Sequence, residues 1–95
     1  MLVSVTAGNT DNKLTQKEWS EFVFALSSII ERCETQRHFF GGSATYDPWQ
    51  TACFLFEIEE SYPWIIDDLC DDLRQCRERY NQDSVCVLFG KPLFV

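Results

Sequence analysis

The sequence of 95 residues carries 15 acidic and 8 basic side chains, which gives a net charge of −7 at pH 7. Its hydrophobic fraction of 45% is typical of a globular protein, so the composition excludes intrinsic disorder and predicts a single domain over residues 1–95. A chain this acidic lacks the basic stripe that contacts phosphate. Direct binding of nucleic acid is therefore disfavoured, and basic partners are favoured.

The first two predicted elements are a strand and a helix. Residues 2–7 alternate in the manner of a strand, and the polar residues 8–12 predict a turn after it. Thr15 and Glu18 have the spacing of a capping box, which predicts that a helix begins there. Its apolar residues recur at three- and four-residue steps and form one stripe: Trp19, Phe22, Val23, Leu26, Ile29, Ile30 and Cys33.

Two further strands are predicted in the middle of the chain. Residues 37–40 predict a short strand that ends in a flexible turn at Gly41 and Gly42, and residues 43–48 predict a hairpin loop. The third strand is predicted over residues 50–59, whose apolar side chains alternate. Its second face becomes polar toward its end, so that end should meet solvent.

A second helix and a fourth strand complete the chain. Ser61 and Pro63 predict a helix start, as a cap and as a proline near the first turn. The apolar stripe of this helix contains Ile65, Ile66, Leu69, Leu73, Cys76 and Tyr80. The apolar run over residues 85–89 predicts the last strand, and Leu93, Phe94 and Val95 form a short apolar tail.

The predicted order β-α-β-β-α-β indicates an α+β fold, a small two-layer sandwich of the ferredoxin-like type. Right-handed crossovers convert this order into a four-stranded antiparallel sheet with both helices on one face. If residues 2–7 were a loop, the remainder would still form a small α+β sandwich. The other face of the sheet is open to water unless a partner covers it.

No signal for export, membrane insertion or metal binding is found. The first residues lack a basic segment, and no apolar run is long enough to span a bilayer, so we expect a cytoplasmic protein without membrane contact. The cysteines are odd in number and have no metal-ligand spacing. We therefore predict buried, small hydrophobic side chains in a reducing compartment at Cys33, Cys53, Cys70, Cys76 and Cys86.

Catalytic motifs are also missing. His38 is the one histidine available to activate a cysteine, and a lone histidine beside two phenylalanines is more typical of a structural or exposed residue. The segment Gly41-Gly42-Ser43 lacks the lysine and helix start of a phosphate loop. We therefore predict no catalytic residues, no metal, no cofactor and no enzymatic activity. A small enzyme acting through cysteine or carboxylates stays open as a third possibility.

The acidic residues are concentrated in one segment. Seven of them lie within residues 57–72, where no basic residue occurs, and Arg74, Arg77 and Arg79 follow. This order complements the helix dipole, so helix stabilisation alone is one explanation. A binding surface is the other explanation. Its predicted partner-binding carboxylates are Glu57, Glu59, Glu60, Asp67, Asp68, Asp71 and Asp72.

Two aromatic residues lie on the polar faces of the predicted helices. A helical wheel places Trp64 among the acids of the second helix, and Phe24 opposite the apolar stripe of the first. An exposed aromatic side chain inside a charged rim is typical of a binding hot spot. Trp64 could instead fold back against Tyr62 or Pro63. We predict Trp64 and Phe24 as partner-binding residues.

These features favour a non-catalytic, acidic inhibitor that binds a basic cleft on a protein such as a nuclease or another nucleic-acid-binding protein. Immunity proteins, antitoxins and phage-encoded inhibitors of host defence have this character, with carboxylates that imitate phosphates. The alternative is a homodimeric structural or regulatory domain. In that case the open sheet face, or the tail of residues 93–95, pairs with a second copy.

Overall fold

The computed structural model describes residues 1–9, 13–43 and 50–95. Its elements follow the predicted order, and the first strand is confirmed. They are β1 (Leu2–Gly8), α1 (Gln16–Glu31), β2 (Glu34–Gly42), β3 (Thr51–Ile58), α2 (Ile65–Arg79) and β4 (Cys86–Gly90). The strands form one sheet in the order β2-β3-β1-β4, and every neighbouring pair is antiparallel. The predicted ferredoxin-like α+β fold is confirmed.

The hydrophobic core lies between one face of the sheet and the two helices. In the central strand pair, Val3 is opposite Phe56 and Val5 is opposite Phe54, and all four side chains are fully buried. The strict alternation of both strands directs every second side chain toward the helices. The helices contribute Phe22, Leu26 and Ile30 from α1, and Leu69, Leu73 and Cys76 from α2.

The two helices begin differently. In α1 the predicted capping box is present, because the Thr15 hydroxyl accepts a bond from the Glu18 amide and the Glu18 carboxylate accepts one from the Thr15 amide. In α2 the cap position is held by Trp64, which makes no side-chain capping bond. The prediction that Ser61 caps α2 is wrong, since the Ser61 hydroxyl donates instead to the carboxylate of Glu59.

Strand β2 is longer than its sequence pattern predicted. It begins at Glu34 and continues through Gly41 and Gly42, so the prediction of a flexible turn at these glycines is wrong. Gly42 is paired with Ala52, and a Cβ atom at Gly42 would collide with the carbonyl oxygen of Thr51. The glycine therefore permits close strand pairing. The predicted loop over residues 43–48 lies mostly outside the described residues, as does most of the turn predicted at 8–12.

The cysteines are less buried than predicted. Cys76 is buried, Cys86 is exposed, and Cys33, Cys53 and Cys70 are half-buried, so the prediction of five buried thiols is wrong. Burial raises the pKa of the Cys33 and Cys76 thiols, which keeps both in the unreactive protonated form. Among the described residues, no group of cysteine, histidine and carboxylate side chains could hold a metal ion. No described helix is long and apolar enough to cross a membrane.

A buried amide network joins the segments that follow β1 and precede β3. The side chain of Asn9 is 2% exposed, donates to the carbonyl of Leu14 at 3.0 Å, and accepts from the Leu14 amide at 3.1 Å. It also donates to the side chain of Gln50 at 3.1 Å, and Gln50 in turn donates to Gln16 at 2.8 Å. Every polar atom of Asn9 is thereby paired, so the network holds the start of α1 against the sheet.

Replacing Asn9 should therefore destabilise the fold. In Asn9→Ala the backbone groups of Leu14 and the buried Gln50 lose partners, and we expect the free energy of unfolding to fall by about 3 kcal/mol. Urea denaturation monitored by circular dichroism measures this change. The matched control is Gln75→Ala on the exposed side of α2, which should change the free energy by less than about 0.5 kcal/mol. Equal effects of the two substitutions would contradict the network's role.

The capping box predicts a pH dependence. Hydrogen bonds from the amide and hydroxyl of Thr15 lower the pKa of the Glu18 carboxyl below its ordinary value of 4.5. A lowered pKa in the folded state stabilises the protein above the ordinary value, and this contribution is lost as the pH falls through the lowered value. The unfolding free energy of the native protein should therefore exceed that of Glu18→Gln at neutral pH, and the difference should shrink below about pH 4. A pH-independent difference would contradict this assignment.

Candidate binding surfaces

Four predicted partner-binding acids lie on α2, and the structure divides them into two pairs. Asp71 receives a bond of 2.7 Å from Arg74, and Asp72 lies 3.7 Å from the guanidinium of Arg32. Asp67 and Asp68 are exposed in the first turn and have no ion-pair partner within the described parts of the chain. They are therefore the α2 carboxylates that remain available to a partner.

The three predicted glutamates occupy two different places. Glu57 belongs to β3 and lies on the open face of the sheet, away from the helices. Glu59 and Glu60 follow that strand, and Glu60 is 3.1 Å from the amino group of Met1. Hydrogen bonds from the amide and hydroxyl of Ser61 lower the pKa of the Glu59 carboxyl, so it is charged at neutral pH. Glu57 therefore lies on the opposite face of the sheet from the acids of α2.

Both aromatic residues that the helical wheel singled out are exposed. Trp64 is 56% exposed, and its ring lies 5.3 Å from that of Tyr62, which is itself 50% exposed. The contact with Tyr62 that we considered as an alternative is thus present, yet it leaves half of each ring in solvent. Phe24 is 73% exposed on α1. The loop residues Glu59, Glu60, Tyr62 and Trp64, with Asp67 and Asp68, are called the 59–68 patch below.

The groove between the helices is less acidic than the sequence suggested. It encloses about 570 Å³, and its apolar floor includes Ala25, Ile29 and Cys76. Two basic residues, Arg32 and Arg79, line its walls with Asp72. The outer surface of the helix layer therefore has mixed charge around this groove, and on α2 the carboxylates without a described ion-pair partner are Asp67 and Asp68 of the 59–68 patch.

The open sheet face forms a second surface. It presents Leu2, Phe39, Leu55 and Leu88, and no described helix covers it. Glu57 is the only carboxylate among the described strand residues on this face. Beyond β4, residues 93–95 extend as an exposed apolar tail. These apolar side chains lie among small polar ones such as Ser4 and Thr6, and a group of exposed apolar side chains is typical of an interaction surface.

His38 is exposed, as the sequence indicated, and it is also paired with a carboxylate. Its Nε2 atom lies 3.3 Å from Oε1 of Glu57, and both side chains line a cavity of about 190 Å³ on the open face. Irregular pairing between β2 and β3, with a register shift between Arg37 and Phe39, brings the two residues together. The residues near His38 in the sequence do not indicate Glu57 as its partner, nor the reverse. The pair becomes visible only when β2 and β3 are aligned in the sheet.

Comparisons with known proteins give a structural likeness but no sequence match. No family model and no curated protein sequence matches the chain. Among solved structures, one described as "Crystal structure of antibiotic biosynthesis monooxygenase" shares 18% identity with it, with a TM-score of 0.42. The match covers 97% of this chain and 100% of that one. At this identity no residue role is transferred, and the fold rests on the strand order and pairing described above.

One expectation from the sequence was too strong. We predicted that the chain is not an enzyme because it lacks catalytic motifs, yet the similar structure has the name of an enzyme. The prediction is therefore wrong as an exclusion, since missing motifs do not rule out catalysis on a fold that hosts many functions.

Proposed function

We propose that this protein binds a basic protein, such as a nuclease or another nucleic-acid-binding protein, and blocks its nucleic-acid cleft through the 59–68 patch. The observation that carries the proposal is the half-exposed Trp64 beside Asp67 and Asp68, which lack ion-pair partners in the described chain. Large aromatic side chains surrounded by charge are typical of binding hot spots. Such a protein would act as an immunity protein, an antitoxin or a phage-encoded inhibitor of host defence.

The physical mechanism has two parts. The net charge of −7 attracts a basic partner over a distance and raises the association rate, with carboxylates taking the place of phosphates. Trp64 then fills an apolar pocket on the partner, which lowers the dissociation rate. Because Asp71 and Asp72 already have arginine neighbours, we assign the main electrostatic role to Asp67 and Asp68.

Charge reversal tests the electrostatic part. The double variant Asp67→Lys/Asp68→Lys should lose a partner that the native protein retains at low salt and releases at high salt or with excess duplex DNA. The matched control is Glu21→Lys/Glu31→Lys on exposed positions of α1, which changes the net charge equally and should keep the partner.

Trp64→Ala should increase the dissociation rate about tenfold or more, measured by surface plasmon resonance.

Stability measurements separate this proposal from simple helix stabilisation. Reversing two charges in the first turn of α2 should lower the unfolding free energy by about 1 kcal/mol through the helix dipole. If that were the only effect, and both double variants retained the partner equally, the patch would not be the contact. Trp64→Ala should lower the unfolding free energy by about 1 kcal/mol, because the Trp64 ring contacts Tyr62 and the residue is only 56% exposed.

A second candidate function is that of a homodimeric structural or regulatory domain, and the open sheet face favours it. Two molecules that each carry a charge of −7 repel one another. The repulsion is weakest when they meet through a face with few carboxylates. The open face has this property, and its leucine and phenylalanine side chains offer apolar area to bury.

Sedimentation equilibrium tests the homodimer. At micromolar concentrations we expect a dimer that persists at high salt, since its contact is apolar. Leu88→Lys, at a residue 65% exposed on the open face, should give monomers. Phe24→Lys introduces the same charge at an exposed aromatic residue on α1 and should leave the dimer intact. A native protein that sediments as a monomer would contradict this function without affecting the first one.

A further inference from the structure

The cavity beside His38 and Glu57 on the open sheet face has mostly apolar walls and one pair of polar side chains. Its walls include Leu2 and Leu55 from the sheet, with Pro92 and Phe94 from the segment after β4. Its volume is about 190 Å³. An apolar cavity of about 150 Å³ is large enough for benzene, so this one has room for a six-membered ring with a short polar arm.

The polar groups in the cavity determine which arm would fit. Glu57 offers carboxylate oxygens, which only accept hydrogen bonds when ionised. The Nε2 atom of His38 lies 3.3 Å from Oε1 of this carboxylate, so the two side chains form one polar pair in the cavity. None of the described residues that line the cavity is a lysine or an arginine. The polar end of a ligand must therefore donate hydrogen bonds, whereas an anionic end would be repelled by Glu57.

We propose that this cavity binds a small molecule with a compact apolar body and a hydrogen-bond-donating end, either an amine or a hydroxyl. The apolar body packs against Leu2, Leu55 and Phe94, while the donor bonds to the carboxylate of Glu57 beside His38. Binding sites of this kind are typically apolar with a few convergent polar groups. The site is separate from the 59–68 patch. Evidence against either proposal would therefore leave the other one unaffected.

Three probes that share one apolar body test the chemistry: benzylamine, benzyl alcohol and benzoate. Each is titrated into the native protein in its solution oligomeric state and followed by NMR shifts of the Leu55 methyl and His38 ring signals. We expect benzylamine or benzyl alcohol to bind at least tenfold more tightly than benzoate, and the stronger of the two identifies the donor. Benzoate binding as tightly as both, or no shift with any probe, would overturn the proposal.

A pair of variants locates the site. Glu57→Gln removes the carboxylate but keeps its shape, so it should weaken benzylamine binding at least tenfold and reduce discrimination against benzoate. Glu21→Gln makes the same change on the far side of the molecule and should leave all three affinities unchanged. Circular dichroism confirms that both variants are folded. Unchanged benzylamine affinity in folded Glu57→Gln would place the ligand elsewhere and overturn the assignment.

Discussion

The structure depends on the burial of one face of the β1–β3 strand pair. Val3, Val5, Phe54 and Phe56 alternate with side chains that point the other way, so covering one face with two helices necessarily leaves the other face uncovered. Both candidate surfaces follow from this asymmetry. The helix layer carries the acidic residues and the exposed tryptophan outward, whereas the sheet presents apolar side chains with a single carboxylate among its described strand residues.

Local patterns in the sequence were sufficient to predict the elements and their order. The alternation of β1 and β3 and the capping box at Thr15 and Glu18 each depend on neighbouring residues, and the structure contains all three. The helical wheel likewise predicted that Trp64 and Phe24 are exposed. Periodicity is a property of short segments, so it can be obtained without knowledge of the tertiary structure.

The features that sequence reasoning missed depend on contacts between distant segments. Asn9 was assigned to a polar turn, although its amide is buried because Gln50 and Leu14 lie beside it. His38 and Glu57 meet only because β2 pairs with β3 in an irregular register. Arg32 reaches Asp72 across the helix pair, so the acidic appearance of α2 in the sequence exceeds the acidity of the folded surface. Sequence spacing contains no information on such partners.

The position of β1 in the sheet has a consequence for synthesis. This strand is the earliest to leave the ribosome, but both of its partners, β3 and β4, lie later in the sequence, and Thr6 pairs with Cys86. Until those strands emerge, the valines of β1 have no sheet to join, and the first helix has no complete core beneath it. Such long-range pairing slows folding and exposes apolar segments. The sheet and the core beneath the helices therefore cannot be completed until β4 has been made.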